Sequence, residues 1–200
     1  MHLVVGLGNP GDRYRGTRHN VGFEVIDVLG ERAAAGRLRP DPDWWALEAR
    51  VEGCPVVLLK PLTFMNRSGL AVRSAMEAWE VAPEAVVVVV DDVALPTGRL
   101  RVRSRGSHGG HNGLRSIEEA LGTRDFPRVR IGVGSDPEGP DLADYVLSPF
   151  SSRDILIVRR AVGRAAEAVV AVLREGVEAA MNRYNAEAVE QSPEEADTAT

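Results

Sequence analysis

At 200 residues, 44% apolar and 26% charged, the chain has the length and residue usage of one globular domain with a sizeable core. No apolar run approaches the roughly 18 residues of a membrane span, and "MHLVVGLG" lacks the basic flank and small-residue cleavage site of a secretory leader, so a cytoplasmic protein with no membrane association is expected. The net charge of −5 argues against a nucleic-acid partner only as a sum, because the charges are unevenly spread.

The chain begins with "HLVVGLG", a short buried strand, which runs into "GLGNPG". Those residues spell Gly6-x-Gly8-x-x-Gly11, the dinucleotide-binding fingerprint. The fingerprint requires a helix to begin inside the glycine run, so that its N-terminus meets a pyrophosphate. Pro10 disfavours helical geometry at Asn9, Gly16 interrupts the next stretch, and the helical pattern resumes only near Val21. The acid expected at the end of a second strand is also missing, since Glu31 falls within the helix. A nicotinamide-dependent oxidoreductase is therefore the weaker reading of this turn.

"TRHN" (17–20) then leaves His19 in a loop at the carboxyl end of the first strand, and "NVGFEVIDVLGERAAAG" (20–36) reads as a helix with Val21, Val25, Leu29 and Ala33 along one stripe. Residues 45–51 and 55–60 read as strands turning at Gly53, with Cys54 a small buried filler. One cysteine excludes an internal disulfide and suits a reducing compartment. "SGLAVRSAMEAWE" reads as a second helix, and "AVVVVVDD" as a central strand covered on both faces. "RLRVRSR" alternates, predicting a half-exposed strand with an arginine face. After the loop "GSHGGHNG" come a short helix near Arg115–Leu121, the strand "RVRIGVG" and the long amphipathic helix "SRDILIVRRAVGRAAEAVVAVLREG". Strands alternating with helices predict a single α/β domain over residues 1–185, with a central mixed, mostly parallel sheet flanked by helices. Residues 186–200 are expected to form an acidic, disordered tail.

That tail holds much of the charge. Residues 184–200 carry five acids and no base, which is the whole of the −5, so residues 1–183 are neutral. Within them, residues 99–130 set eight arginines against Glu118, Glu119 and Asp125, a local +5 suited to a polyanion. Lys60 is the only lysine among 24 basic residues, so arginine is this chain's default cation and the segment reads equally as solvated surface.

Ligands of such sheets gather at the carboxyl ends of the strands. Asp91 ends the valine strand at the same edge as His19, and a histidine oriented by a carboxylate is a general-base pair. With no Gly-x-Ser-x-Gly elbow and no suitable cysteine, the nucleophile would be water. His108 and His111 lie three apart but lack the third ligand that a zinc site needs, so no metal is expected. Asn9, Asn20, Asn66 and Asn112 stand in short turns or beside histidines, either as turn residues or as neutral donors and acceptors lining a cleft. Phe64 and Met65 offer either an apolar wall or simple core packing.

"VVGLGNPGDRYRGTRHNVGF", "KPLTFMNRSG", "VVDDVALPTG", "GSHGGHNGLRSI" and "RVRIGVG", in this order over residues 3 to about 150, closely resemble the bacterial-type peptidyl-tRNA hydrolases. The resemblance implies hydrolysis, without metal or cofactor, of the ester joining a peptide to the 3′ end of tRNA, which recycles tRNA from prematurely released peptidyl-tRNA. It makes His19 the general base and Asp91 the group that holds it basic. Asn9 would separate N-blocked from free aminoacyl groups. Tyr14, Phe64, Asn66 and Asn112 would contact substrate, Met65 and His111 would complete the cleft, and Arg103 and Arg130 would grip the tRNA 5′ phosphate. A further acid usual in the family is Ala94 here, which concerns loop contacts rather than the catalytic pair. A monomer with no obligate protein partner is expected. The alternatives are a tRNA-end binding protein without turnover, using the same arginines and cleft, and the nicotinamide-dependent enzyme of the glycine turn.

Overall fold

The valine run of residues 86–90 is buried throughout, and its alternate side chains enter two different cores. Val87 and Val89 face one layer of helices, while Val86, Val88 and Val90 face another. A run without polar alternation is what a strand covered on both faces requires. The computed structural model describes residues 1–135 and 141–186. Its sheet has the order β2-β3-β4-β1-β5-β7-β6. β4 (Cys54–Pro61), β1 (His2–Gly6), β5 (Val86–Asp92) and β7 (Arg128–Gly132) form a parallel centre. β2 (Ala34–Pro40), β3 (Trp44–Val51) and β6 (Leu100–Arg103) are antiparallel additions at the two edges. The sheet is thus mixed, with its parallel pairings confined to the middle.

One face of the sheet is covered by α1 (Val21–Glu31), α5 (Asp154–Glu175) and α6 (Val177–Ala186), and the other by α2 (Ser68–Trp79) and α3 (Asn112–Leu121). The chain leaves β1 through α1 toward β4, then crosses by α2 on the opposite face to reach β5 on the other side of β1. The strand order therefore reverses at β1 and β5, which opens a crevice beyond their carboxyl ends. Two glycines set how closely α1 approaches it. A Cβ on Gly6 would fall 2.2 Å from the Gly22 carbonyl oxygen, and one on Gly22 would fall 2.5 Å from the Leu7 nitrogen. With no side chain between them, the residues just before α1, including His19, are held directly over the crevice. The dinucleotide reading fails here, because α1 begins at Val21, well beyond Gly11.

Several elements depart from the sequence pattern. The first helix stops at Glu31 rather than continuing to Gly36, and Ala34–Pro40 forms the edge strand β2 with Leu38 opposite Leu47. The alanine-rich stretch favours helix locally, and only this distant pairing makes it a strand. The β3–β4 turn is as expected, with Glu52 and Gly53 both at positive φ (46° and 84°), the form that matches strand twist. α3 starts at Asn112, earlier than its apolar pattern predicts, because the His111 side chain caps it. A short helix, α4 (Leu142–Val146), has no counterpart in the sequence pattern. Nor has α6, which forms after Gly176 at φ 89° ends α5. The acidic tail beyond Ala186 lies outside the described residues.

α6 closes the exposed edge of β6. The Asn185 amide accepts from the Val102 backbone N–H at 2.7 Å and donates to the Val102 carbonyl at 3.1 Å, pairing with the strand as another strand would. Replacing Asn185 with alanine should cost about 1–3 kcal/mol, the range for unpairing backbone groups in a partly buried edge. A thermal melt should show Tm lowered by several degrees, with kcat/KM unchanged well below that temperature. An unaltered Tm would mean that water replaces both bonds without loss.

Candidate active site

β5 delivers Asp91 to the crevice with its side chain almost wholly withdrawn from water, the residue being 3% exposed. An isolated carboxylate there would be costly, so it must find donors. It has two. His19, in the turn Arg18–Asn20, sits with Nδ1 at 3.0 Å from both carboxylate oxygens. His111 sits with Nε2 at 3.0 Å from Oδ1, and the two rings lie 4.8 Å apart. Burial alone would raise the Asp91 carboxyl, but the two imidazoles outweigh it and hold the group well below the usual carboxylate range.

The hydrogen bonds assign the protons. His111 Nδ1 accepts from the backbone N–H groups of Gly113 (3.1 Å) and Leu114 (3.3 Å), so it carries no proton. The His111 proton is therefore on Nε2 and is donated to Asp91. His19 must likewise donate from Nδ1, leaving its Nε2 lone pair without a partner among the described residues. Only His19 can then act as a base. One ligand-capable atom each of His19, Asp91 and His111 lies within 4.8 Å of the others, a group that leaves out His108 and so differs from the His108–His111 pair of the sequence. Metal ligation through His111 Nε2 would move its proton to Nδ1 and break the α3 cap.

A cavity of about 230 Å³ opens on this group, lined by His19, Asp91, His111, Asn112 and Arg130 together with Leu142, Ala143 and Val146 from α4. Asn9 is absent from that lining and borders a separate cavity with Asn20, Phe23 and Lys60, where it is fixed from two directions. Its Oδ1 accepts from the Met65 backbone N–H at 2.9 Å, which leaves its amide NH₂ as the available donor. Its own backbone is clamped by Asn20, whose Oδ1 accepts from Asn9 N at 2.9 Å and whose Nδ2 donates to Asn9 O at 3.0 Å. Met65 is buried, packing near Gly113 and Leu7, so its backbone rather than its side chain meets Asn9. Phe64 is 54% exposed, which removes the core alternative for it, and Asn66 is exposed beside it. Tyr14 is half-buried under the Arg13 guanidinium. Tyr14, Phe64 and Asn66 lie outside the cavity lining.

The basic segment divides. Arg101 and Arg103 are the exposed positions of β6. Arg130 is tied to Asp92 at 3.1 Å and to the Ser107 carbonyl at 2.8 Å, forming part of the cavity wall. Asp92 also accepts from Ala94 N at 2.9 Å, so the loop at the Ala94 departure is held by the second aspartate. Arg128 is fully buried and donates to the carbonyls of Phe126, Gly106 and Arg124, with Glu118 at 3.6 Å. Burial first, then the charge of Arg130, lowers its guanidinium to about 10, still charged at neutral pH. Sequence reasoning counts Arg128 with the surface cations, because strand alternation places it on the same face as Arg130. It also passes over the clamp made by Asn20, for which "RHN" gives no distinguishing signal.

Residues 3–193 match the family model described as peptidyl-tRNA hydrolase. The peptidyl-tRNA hydrolase of Caldanaerobacter subterraneus subsp. tengcongensis is 47% identical over 92% of this chain and 100% of its own length. That of Chloroflexus aurantiacus is 46% identical over 92% and 99%. The crystal structure of peptidyl-tRNA hydrolase from Acinetobacter baumannii matches with a TM-score of 0.86 at 36% identity, covering 93% of this chain and 95% of that one. With this likeness spanning nearly the whole chain, the protein belongs to the peptidyl-tRNA hydrolase family.

Proposed function

We propose that this protein hydrolyses the ester between a peptide, or an N-blocked amino acid, and the 3′ end of tRNA, and so returns tRNA to translation in the cytoplasm. The observation that carries the reading is the His19 ring, held through Nδ1 by a buried carboxylate with Nε2 free at the cavity. A water bound to that Nε2 attacks the ester carbonyl carbon and gives its proton to the imidazole. The carbonyl π pair moves to oxygen, and we assign the NH₂ of Asn9, whose Oδ1 is pinned by the Met65 N–H, to meet that charge. Collapse breaks the bond to the ribose 3′ oxygen, which leaves with the proton from His19. Asp91 stays ionised throughout, stabilising the imidazolium and fixing the tautomer. Water, substrate and His19 account for every proton and electron pair.

The remaining residues divide between the two halves of the substrate. Asn112 and His111 border the cavity, the Met65 backbone holds Asn9, and the exposed Asn66 and Phe64 with half-buried Tyr14 are assigned to further substrate contacts outside the cavity lining. Arg103, exposed on β6, and Arg130 on the neighbouring strand contact the tRNA phosphates. The protein works as a monomer. A tRNA-end binder without turnover would need no base, and the free Nε2 of His19 favours catalysis over that alternative.

The defining assay is release of the blocked amino acid from N-blocked aminoacyl-tRNA, with and without chelator and without nicotinamide. Chelator-resistant release is expected, and its absence sinks the proposal. His19→Ala should lower kcat on the order of 10²–10⁴-fold, the usual contribution of a general base, while tRNA affinity survives.

Asp91→Asn keeps the shape of the carboxylate but not its charge, so kcat should fall on the order of 10²-fold. Stability gives a second readout. The folded Asp91 carboxyl titrates below its unfolded value, so its contribution is complete above the unfolded value of about 4 and is lost as pH falls below it. The Tm gap between wild type and Asp91→Asn should therefore close on acidification through that range. A gap that widens there would contradict the assignment.

Arg103→Ala should raise KM at unchanged kcat and flatten the dependence of log KM on log salt by about one unit, one phosphate contact having been lost. Arg130→Ala should also lower kcat, because it releases Asp92 and the loop at Ser107. Wild-type KM and salt slope in both would leave the basic segment as ordinary surface.

A further inference from the structure

Arg18 stands next to the base, yet the proposed reaction leaves it unused. It is absent from the cavity lining, and the residue is only 8% exposed. Nη1 donates to the Ser148 carbonyl (3.2 Å), Ser148 Oγ (2.7 Å) and the Pro149 carbonyl (2.7 Å). The Tyr145 ring lies 4.2 Å away and the Phe150 ring 5.0 Å. No carboxylate pairs with it among the described residues, and its Nε is buried without a partner. A buried cation that meets only carbonyls, a hydroxyl and aromatic faces among the described residues is a costly arrangement. A fold that retains it must gain something elsewhere.

What it holds is the α4 part of the cavity lining. The backbone repeats the attachment: Arg18 N donates to the Ser148 carbonyl at 3.2 Å, and Thr17 forms an isolated antiparallel bridge with Pro149. Just before these contacts lies α4, only five residues long and too short to be stable alone. It carries Leu142, Ala143 and Val146 to the cavity that His19 also lines. Tyr145, stacked on Arg18, is anchored in turn by its hydroxyl to the Val133 carbonyl at 3.0 Å.

We propose that Arg18 is a positioning residue that locks α4 onto the His19 turn and thereby sets the width of an apolar subsite for the side chain of the amino acid esterified to tRNA. The inference rests on the hydrolytic function proposed for His19 and Asp91. The chemistry requires that side chain to be close. The attacked carbonyl carbon lies within about 3–3.5 Å of the water on His19 Nε2, and the side chain departs from the adjacent carbon. It therefore falls in the same cavity, against α4.

The test compares N-acetyl-leucyl-, N-acetyl-phenylalanyl- and N-acetyl-glycyl-tRNA on wild type and Arg18→Met, which keeps length and stacking but loses every donor. KM for the leucyl and phenylalanyl esters should rise about 10-fold with kcat nearly held, while the glycyl ester changes about 2-fold or less, as expected for loss of an apolar pocket. The salt slope should not move, because the guanidinium is buried away from phosphate. Arg18→Lys should fall between, retaining charge but not the planar fork. Equal losses on all three esters, or a flattened salt slope, would overturn the proposal. Ser148→Ala, at the far end of the contact, should act in the same direction more weakly, and it serves if Arg18→Met fails to fold. Hydrogen exchange tests the anchor independently of chemistry. The amides of Leu147 and Ser148, bonded to the Ala143 and Tyr145 carbonyls, should lose protection in Arg18→Met while β5 keeps it. Unchanged protection there refutes the anchoring. Failure of wild type on every ester refutes the hydrolytic function instead.

Discussion

A carboxylate buried at the end of the central strand must be satisfied, and that requirement organises the site. Asp91 arrives there because β5 lies between β1 and β7 and is covered on both faces, so its last inward residue cannot reach water. Two imidazoles supply the missing donors, and each comes from a different part of the chain: the turn before α1 and the loop before α3. The position of α1 depends on the Gly6–Gly22 approach, and that of α3 on the His111 cap. The site is therefore over-determined by backbone contacts made for other reasons, which is how a polar cluster keeps one geometry in a low-dielectric setting.

Much of this is legible in the sequence. The unbroken valine run marks a doubly covered strand, so Asp91 at its end and His19 after the first strand share one edge of the sheet by topology alone. The glycine motif loses its usual meaning from its context, since Pro10 and Gly16 keep a helix from starting there. The role of His111 is harder to see. Its sequence signal is a histidine in a glycine loop, whereas its function depends on one ring meeting a helix N-terminus and Asp91 together. β2 escapes detection because alanine-rich sequence states a local preference that the non-local pairing with β3 overrides. α4 escapes it because five residues give no period to read.

The arginines show the same limit from another side. Arg101, Arg103, Arg128 and Arg130 alternate along two paired strands and are indistinguishable in sequence, yet their exposure runs from open surface to full burial. What separates them is the local supply of carbonyls. Gly106, Arg124 and Phe126 turn theirs toward Arg128 and make it a brace for the loop, whereas β6 turns nothing toward Arg103. The planar guanidinium suits both tasks, because its several fixed donors satisfy carbonyls inside and phosphates outside. A chain with one lysine among 24 basic residues thus draws both its buried brace and its exposed cations from one residue type.

The two histidines on Asp91 carry that logic into the chemistry. Each places one nitrogen 3.0 Å from the same carboxylate, and by distance alone either could be the base. The difference lies in the other nitrogen. For His111 it is occupied by two backbone N–H groups at the start of α3, so accepting a proton there would break the cap that places the ring. For His19 it faces the cavity, and protonation disturbs no backbone contact. The helix cap therefore does more than end a helix. It occupies the one nitrogen of His111 that could accept a proton, commits the other's proton to Asp91, and leaves His19 as the imidazole of the pair with a lone pair unengaged among the described residues.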